Sequence, residues 1–482
     1  MNERVVNAWR FSGEFEARRA GAGFGARNGI RNSIARARMN ANANVNKGED
    51  DGMKDADVDV DVDIVVVGNG PIGSAVAKYV AKAKAKATIV VLASAELASA
   101  SNDLGRIVRP LDAEGRADWT DLNRSSLERF REIERESGIE FFNARGSMFL
   151  GSPSFVERAA SRLRSNGVPH ERSSVSDGEF AKIWPFLSHA IPKSYDVAWD
   201  TVGGYVDPHK MRAAQNALMR RANERARVVS ATCVRVASAG DGAPARVWTS
   251  DGNCLTCRLC VLACGAYTEA LARESGLLSA TKEESRGVGI AGIRISRRTV
   301  VLAEVLESEA KSALAMMPTI KYEVPQDVLD RARVKAASGV SDQSRNEAKS
   351  VYVLPPIYYP GPNPSQGWYL KIGGGPQDFM DTSGELTWSR TVRELEEWMS
   401  SEGDEAVADQ LHEILLHMFP TTNFQCLIPK ACATTTTDDG TLAVEVLGAS
   451  SDVVAVSACQ GKAAGPADAI GRLVAETCAR LL

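Results

Sequence analysis

The chain lacks any apolar run as long as the 18 to 20 residues (~30 Å) that cross a bilayer, so the sequence predicts no membrane partner. Histidine is scarce, with five in 482 residues, and no Ser-His-Asp or Cys-His constellation can be assembled. His412 and His417 are five positions apart, whereas the helical zinc motif needs a spacing of four, so no metal site is predicted. The net charge of −4, without a basic stripe beyond the N-terminus, argues against a nucleic-acid partner. A small molecule is therefore the expected substrate.

The first 60 residues differ in composition from the rest of the chain. Residues 1–38 contain eight Arg, no Lys and few acids, which is typical of a transit peptide. An acidic low-complexity stretch follows over residues 48–63. The sequence predicts that residues 1–60 are a disordered leader that directs the protein to a plastid or a mitochondrion. The alternative is a disordered tail without a targeting signal, on a cytoplasmic protein.

Four of the nine cysteines have the spacing C-x2-C-x2-C-x3-C, which in bacterial ferredoxins holds an iron–sulfur cluster: Cys254, Cys257, Cys260 and Cys264. Asp251-Gly252, however, indicates a hairpin turn, after which residues 255–264 are typical of one strand. A strand rises about 3.3 Å per residue, which would spread the thiols too far to converge on one cluster. We predict reduced thiols and no metal; the alternative is an iron–sulfur electron-transfer protein.

The strongest local signal is a glycine motif between a strand and a helix. Residues 64–67 are β-branched, Gly68, Gly70 and Gly73 follow in the spacing G-x-G-x-x-G around Pro71 and Ile72, and residues 76–86 favour a helix. In such a turn the glycines allow a tight bend, a close approach of backbone to a pyrophosphate and close helix–strand packing. The helix N-terminus adds unpaired N–H groups for the phosphates. The motif predicts a site for FAD or NAD(P).

The second strand of this unit, residues 88–92, lacks the acidic residue that usually binds ribose hydroxyls at its end. Ser94 follows the strand, and Glu96 comes a few residues late. Either Ser94 or Glu96 takes that role, or water does.

Helical and strand patterns alternate irregularly after the leader, which predicts an α/β fold: a Rossmann-like cofactor domain interleaved with a β-rich, mixed-sheet substrate domain. The cofactor domain is assigned residues 61–142, 203–290 and 425–482, and the substrate domain residues 143–202 and 291–424. Within them we predict a helix over 209–225, strands over 227–236 and 247–263, β-rich segments at 292–305 and 351–372, a polar surface insertion at 325–349 and a helix over 387–418.

Four separated segments together resemble the D-amino-acid oxidase superfamily of FAD enzymes, and within it the sarcosine oxidase-like branch. They are residues 64–75, Asn102 to Arg109, Gly203 to Pro208 and, near the C-terminus, Cys432 to Asp439 with Ala458 to Gly471. The resemblance extends from residue 60 to the end of the chain and implies FAD as the cofactor.

The resemblance assigns roles to two arginines. It places Arg106 beside the flavin and makes Arg109 a structural or substrate-side partner. Fixed positive charge in a dry site stabilises the negative charge of a reduced flavin. The alternative is a pair of surface arginines.

Two strand residues also match the family. Lys371 matches the lysine that lies over the flavin and promotes the reaction with oxygen, and Tyr359 matches a substrate-pocket tyrosine. The family's carboxylate-binding lysine aligns with Gly465, so Lys462 becomes the candidate for that role. Two family histidines are also absent, since Asn102 and Gly375 stand in their places.

Cys432 matches the cysteine that is bonded to the flavin 8α-methyl carbon in this branch. It keeps the motif threonines and the acid of the following segment, but the Tyr and Pro are lost. The alternative is a small buried thiol. The resemblance further implies that Val234, Gly265 and Gly461 contact the cofactor.

The implied reaction is the oxidation of the C–N bond of a secondary or N-methylated amine or amino acid to an imine. Oxygen or a protein electron acceptor then reoxidises the flavin. The alternatives are an NAD(P)-dependent dehydrogenase and a non-catalytic flavin or iron–sulfur electron-transfer protein.

Overall fold

The computed structural model describes residues 61–187, 189–238, 244–278, 282–336, 348–380 and 387–482. The predicted leader, residues 1–60, lies outside the described residues, so its organellar address stays a prediction. No helix of the described residues is long and apolar enough to span a bilayer.

The strands, in chain order, are β1 (Val62–Val67), β2 (Ile89–Ala93), β3 (Arg106–Val108), β4 (Phe142–Asn143), β5 (Ser147–Gly151), β6 (His170–Ser174), β7 (Asp196–Asp200), β8 (Gly204–Val206), β9 (Ala226–Ser230), β10 (Cys233–Ala237), β11 (Ala245–Thr249), β12 (Cys254–Leu262), β13 (Arg294–Val305), β14 (Thr319–Glu323), β15 (Ser350–Tyr359), β16 (Gly367–Gly374), β17 (Asp378–Phe379), β18 (Leu427–Thr436), β19 (Ala443–Leu447) and β20 (Val453–Ser457).

The helices, in chain order, are α1 (Pro71–Ala83), α2 (Ala117–Ser137), α3 (Pro153–Ser165), α4 (Gly178–Ile183), α5 (Pro208–Ala222), α6 (Thr268–Glu274), α7 (Lys282–Ser285), α8 (Glu307–Lys311), α9 (Gln326–Ala336), α10 (Trp388–Met399), α11 (Glu405–Met418) and α12 (Ala467–Leu481). Short 3-10 turns cover Ala100–Asn102 and Gly265–Tyr267.

The first sheet has a parallel centre. Strands β12, β1, β2 and β9 are parallel neighbours in that order, β20 pairs parallel with the other edge of β12, and β10, β11 and β19 add antiparallel pairs. The β1 residues Ile64, Val65 and Val66 are fully buried, because helices cover one face of the sheet and a second apolar cluster covers the other. This arrangement is Rossmann-like, as the sequence predicts.

The second sheet is mixed and has nine strands, in the order β17-β13-β16-β15-β14-β5-β7-β6, with β18 on the free side of β13. Its strands come from between the segments that build the first sheet, so the predicted interleaved α/β architecture is confirmed. Strand β18 pairs with β13 over ten register positions and so belongs to the second sheet, whereas the sequence analysis assigns residues from 425 onward to the cofactor domain.

The two faces of the second sheet differ because side chains alternate along a strand. One face carries apolar residues, among them Val301, Ile320, Val353 and Ile372, that pack on Leu411 and its neighbours of α11 to form the largest core. The other face carries the residues between them, including several cations. This polar face lines the cavity described below.

Three segment predictions differ from the structure. Residues 227–236 form two strands, β9 and β10, because the chain turns at Ala231-Thr232 and pairs with a different neighbour. Residues 387–418 form two helices: Thr387 caps α10 and Asp404 caps α11, with Gly403 at φ +86° between them. The predicted insertion at 325–349 begins with α9, whose Val328 and Leu329 are buried in the largest core.

Candidate active site

A cavity of about 800 Å³ lies where the first sheet meets the polar face of the second. Val67, Leu92 and Ala263, at or just beyond the carboxyl ends of β1, β2 and β12, line it from one side. Lys371 of β16, Tyr352 of β15 and others line it from the opposite side. The crevice outside the carboxyl ends of neighbouring parallel strands is where open α/β sheets bind their ligands.

The glycine turn borders this cavity. Gly68 has φ +105°, and a Cβ there would lie 2.4 Å from the carbonyl oxygen of Ala263. A Cβ on Gly73 would lie 1.9 Å from the carbonyl oxygen of Gly68, so the start of α1 packs directly against the turn. Gly70 differs, because the nearest atom to its Cβ position is Ser101 Oγ at 3.8 Å. The turn is therefore closed around Gly68 and Gly73 and open at Gly70.

Helix α1 begins at the open part of the turn. Pro71 occupies its first position, and its N-cap, Gly70, makes no side-chain capping bond. Gly68, Gly70, Pro71 and Ile72 all line the cavity. A helix N-terminus that faces a cavity is favourable for an anionic group.

The end of β2 carries a small hydrogen-bond network. Ser94 Oγ lies 2.8 Å from Thr232 Oγ1, and Thr232 Oγ1 donates to Glu96 Oε2 at 3.0 Å. Ser94 and Thr232 line the cavity, whereas Glu96 is exposed and is not part of the lining. Val234 does not line it; its chain neighbours Thr232 and Cys233 do, because the cavity borders the start of β10.

Gly265, Gly461 and Cys432 also line the cavity. Cys432 lies on β18 opposite Arg298 of β13, and its backbone carbonyl accepts a hydrogen bond from Trp398 Nε1 at 2.7 Å. The position of Cys432 in the cavity wall permits contact of its sulfur with a ligand.

Four side chains converge on Asp103, a residue to which no role was assigned from the sequence. Lys371 Nζ lies 2.8 Å from Asp103 Oδ2 and Arg106 Nη1 lies 3.2 Å from the same oxygen. On Oδ1, the Tyr359 hydroxyl donates at 3.0 Å and Lys430 Nζ lies at 3.4 Å. We call these residues the Asp103 cluster. It joins Arg106 of β3 to residues of β15, β16 and β18.

The Lys371 ammonium is fully engaged. Besides the bond to Asp103, it donates to the carbonyl oxygens of Leu104 at 2.6 Å and Gly105 at 2.8 Å. An ammonium has three protons to donate, so all three are used. The side chain is only 3% exposed, and Lys371 contributes to the cavity as a fixed positive charge.

The pKa values of the cluster depend on two opposing effects, burial and charge pairing. Burial acts to raise the pKa of Asp103, but the charges of Lys371, Arg106 and Lys430 outweigh it and hold that pKa well below its ordinary value. Burial lowers the pKa of Lys371 to about 8, against the opposing attraction of Asp103. Asp103 is therefore ionised at neutral pH.

Tyr359 does not line the cavity, although the sequence analysis expects it in the substrate pocket. Its hydroxyl is directed to Asp103 and to the carbonyl oxygen of Leu104. It is 4% exposed and lies behind the cluster.

Lys462 lies in the cavity wall, but its ammonium is paired. It contacts Asp112 Oδ1 and lies 2.9 Å from Glu114 Oε2. Two carboxylates thus hold the side chain that the sequence analysis expects to bind a substrate carboxylate.

Arg109 and Lys321 are two cavity cations that lack such partners. Nε and Nη2 of Arg109 are buried and have no hydrogen-bond partner among the described residues. Lys321 of β14 has no hydrogen bond to any described residue and no described carboxylate within 4 Å of its ammonium. Sequence reasoning missed Lys321, Lys430 and Arg298, although alternation of basic and apolar residues along β13, β14, β16 and β18 could have indicated them.

The four cysteines with ferredoxin spacing lie on β12 and just after it. Cys257 and Cys260 are buried in an apolar cluster with Cys233. Within the described ranges, no group of three or more His, Cys, Asp or Glu side chains is placed to hold a metal ion.

Comparisons with known proteins give a consistent result. Residues 63–477 match a family model described as FAD dependent oxidoreductase (DAO). No curated protein matches the sequence. Among solved structures, a variant of NikD, an unusual amino acid oxidase essential for nikkomycin biosynthesis, has a TM-score of 0.63 at 18% identity, covering 86% of this chain and 93% of its own.

Two further solved structures are similar to the chain. Glycine oxidase from Bacillus cereus has a TM-score of 0.59 at 13% identity, covering 87% of this chain and 95% of its own. Amadoriase I, a fructosyl amine:oxygen oxidoreductase from Aspergillus fumigatus, has a TM-score of 0.58 at 14% identity, covering 88% of each chain. At these identities the likeness establishes the fold.

Proposed function

The chain belongs to the family of FAD-dependent oxidoreductases, and from this membership we propose that it oxidises the C–N bond of a secondary or N-methylated amine or amino acid. The product is an imine, which water hydrolyses. Oxygen or a protein acceptor reoxidises the flavin, as in the sarcosine oxidase-like branch that the sequence resembles. The observation that carries the proposal is that the glycine turn and the Asp103 cluster border one cavity.

The residues of the cavity wall fit FAD. Gly70 leaves open space at the uncapped start of α1, where a pyrophosphate would gain N–H donors and a favourable helix dipole. Ser94 and Thr232 offer hydroxyls to the ribose, since both line the cavity and Glu96 does not. FAD, when bound, supplies the acceptor for the hydride equivalents of the C–N bond.

Arg106 and Lys371 supply fixed positive charge to this site. Three cations share the single carboxylate of Asp103, so the cluster keeps a net positive charge. In a buried site such charge stabilises negative charge that develops during reduction. Because Lys371 is already bonded to three acceptors, it requires no reorganisation to act in this way.

Arg109 is the group that binds the substrate carboxylate. Its buried, unpartnered Nε and Nη2 form part of the planar fork that suits a carboxylate. Lys462 is a weaker candidate because Asp112 and Glu114 already neutralise it.

The function predicts a yellow protein whose flavin is reduced by amines. Purified full-length protein should show a flavin absorption band, and anaerobic addition of N-methyl or cyclic imino acids should bleach it. The matching primary amino acids serve as controls for the requirement for a secondary amine. A colourless protein that binds NAD tightly would contradict the cofactor, and a yellow protein that no amine bleaches would contradict the reaction.

A thioether between Cys432 and the flavin is the finer proposal about the cofactor. Acid precipitation of the wild-type protein should leave nearly all flavin on the polypeptide, whereas Cys432→Ser should release it. Cys254→Ser is the matched control, because Cys254 is an exposed thiol on β12 that does not line the cavity. Release of FAD from the acid-treated wild-type protein would exclude the thioether.

A further inference from the structure

Lys321 lies in the wall of the cavity on β14, and two strands, β16 and β15, separate it from Arg298 on β13. Lys321 of β14 is the register partner of Tyr352 on β15, which pairs with Gly373 of β16, which in turn pairs with Val300 of β13. Cross-strand partners share a face of the sheet, so these four residues lie on one face. Lys371 lies on the same face, because it is two residues from Gly373 on β16 and side chains alternate along a strand. This face borders the cavity. Lys321 thus belongs to the polar face.

Lys321 and Arg109 lie near the same aromatic side chain. Phe149 of β5 is the register partner of Lys321 on the other side, and Arg109 Cζ lies 5.9 Å from the centroid of the Phe149 ring. Both cations line the cavity. Arg109 comes from the segment after β3 and Lys321 from β14, so two different elements bring positive charge to one end of the cavity.

The cations of the wall outnumber the anions. Arg116 is set aside because it pairs with Asp118. The wall then holds seven cations and three carboxylates: Arg106, Arg109, Arg212, Arg298, Lys321, Lys371 and Lys462 against Asp103, Asp112 and Glu114. The three carboxylates are all paired with Lys371, Arg106 or Lys462. Arg109, Lys321 and Arg298 have no ion-pair partner among the described residues, and Arg298 Nη1 donates a hydrogen bond to the carbonyl oxygen of Pro376 at 2.8 Å.

Arg109 and Lys321 bring two unpaired positive charges to one end of the cavity. Unpaired charge in a low-dielectric site is costly, and burial accordingly lowers the pKa of Lys321 to about 8. The FAD pyrophosphate belongs at the start of α1, and the carboxylate of an amino acid would supply one negative charge to Arg109. Lys321 would then be left without an anion.

We propose that Lys321 binds a second carboxylate of the substrate, so that the preferred substrates are N-methylated or cyclic amino acids with an acidic side chain. This inference rests on the proposed function, because it assigns the first carboxylate to Arg109. Neutral N-methyl amino acids satisfy Arg109 alone and leave Lys321 without an anion.

The test compares acidic and neutral ligands of the FAD-loaded protein. In anaerobic titrations, N-methylglutamate should half-reduce the flavin at a concentration at least tenfold lower than N-methylnorvaline, which has a neutral side chain of similar length. Lys321→Met should abolish this preference, which is read as the ratio of the two half-reducing concentrations in the same protein. Methionine keeps the unbranched shape, and Lys82→Met, an exposed substitution on α1, is the control.

Binding without turnover separates this inference from the proposed reaction. In calorimetry, glutarate should bind at least tenfold more tightly than butyrate, and Lys321→Met should remove the difference. Equal binding of the two acids, or a preference that survives in Lys321→Met, would overturn the role of Lys321. Failure of every amine to reduce the flavin would instead contradict the proposed reaction, while the glutarate comparison would still decide on Lys321.

Discussion

Replacement of Asp103 by asparagine is expected to lower the free energy of unfolding by about 3 to 5 kcal/mol, the range for removal of one partner of a buried ion pair. The side chain of Asp103 is 14% exposed and that of Lys371 3%. Without the carboxylate, Lys371, Arg106 and Lys430 would lie together with no counter-charge. Loss of this anion would also lower the pKa of Lys371 further below about 8, because the attraction of Asp103 is the largest effect that opposes its burial.

Urea unfolding of Asp103→Asn against the wild-type protein measures this effect. Asp378→Asn is the matched control, since Asp378 pairs with Arg297 at 2.7 Å but both side chains are 40% or more exposed. That substitution should cost at most about 1 kcal/mol. Adding Lys371→Met to Asp103→Asn should recover part of the lost stability, because one uncompensated cation is removed. Equal losses in Asp103→Asn and Asp378→Asn would show that the cluster does not stabilise the fold.

Replacement of Gly73 by alanine is expected to reduce both stability and cofactor content. The new Cβ would lie 1.9 Å from the carbonyl oxygen of Gly68 and 2.9 Å from its carbonyl carbon. These are backbone atoms, so the start of α1 has to move away from β1. Overpacking of this kind costs about 3 kcal/mol, and the displaced helix N-terminus no longer meets the cofactor. The FAD content of the purified protein should fall at least tenfold.

Gly70→Ala is the control that separates the two effects. A Cβ at Gly70 has no atom closer than 3.8 Å, so the urea midpoint should stay near the wild-type value. The same Cβ would occupy the space where backbone and pyrophosphate meet, and FAD content should therefore fall as it does in Gly73→Ala. Full FAD content in Gly70→Ala would place the pyrophosphate elsewhere.

The dinucleotide turn could be predicted from the sequence because every requirement is local. Gly68, Gly70 and Gly73 act on a turn of a few residues, and the β-branched run before them and the helix after them are contiguous with it. The buried strand that carries Cys257 and Cys260 was predictable for the same reason, since a turn signal and an apolar run fix its course. The irregular alternation of helix and strand patterns indicated that a second domain interrupts the first.

The Asp103 cluster could not be predicted in the same way. Asp103 and Lys371 are 268 positions apart, and their contact depends on how two sheets meet. The family resemblance places Arg106 and Lys371 at the same flavin, but gives no sign that one carboxylate binds both. It likewise indicates Tyr359 as a pocket residue, whereas the position of its hydroxyl follows from Asp103.

Helix ends and strand breaks were missed where a short turn interrupts a continuous pattern. Apolar periodicity continues across residues 400–404, but Gly403 adopts a left-handed φ and Asp404 starts a new helix. At Ala231-Thr232 the chain leaves β9 at one edge of the first sheet and forms β10 at the other edge. Local sequence propensity does not indicate such a change of partner strand.

Asp103 also has a mechanical consequence. It lies in the segment that leads into β3, and its partners Tyr359, Lys371 and Lys430 come from three strands of the second sheet. The segment that carries Asp103 therefore cannot separate from the second sheet without breaking all of these contacts together. Ligands are therefore expected to enter and leave through the opening of the cavity while the segment that carries Asp103 stays on the second sheet.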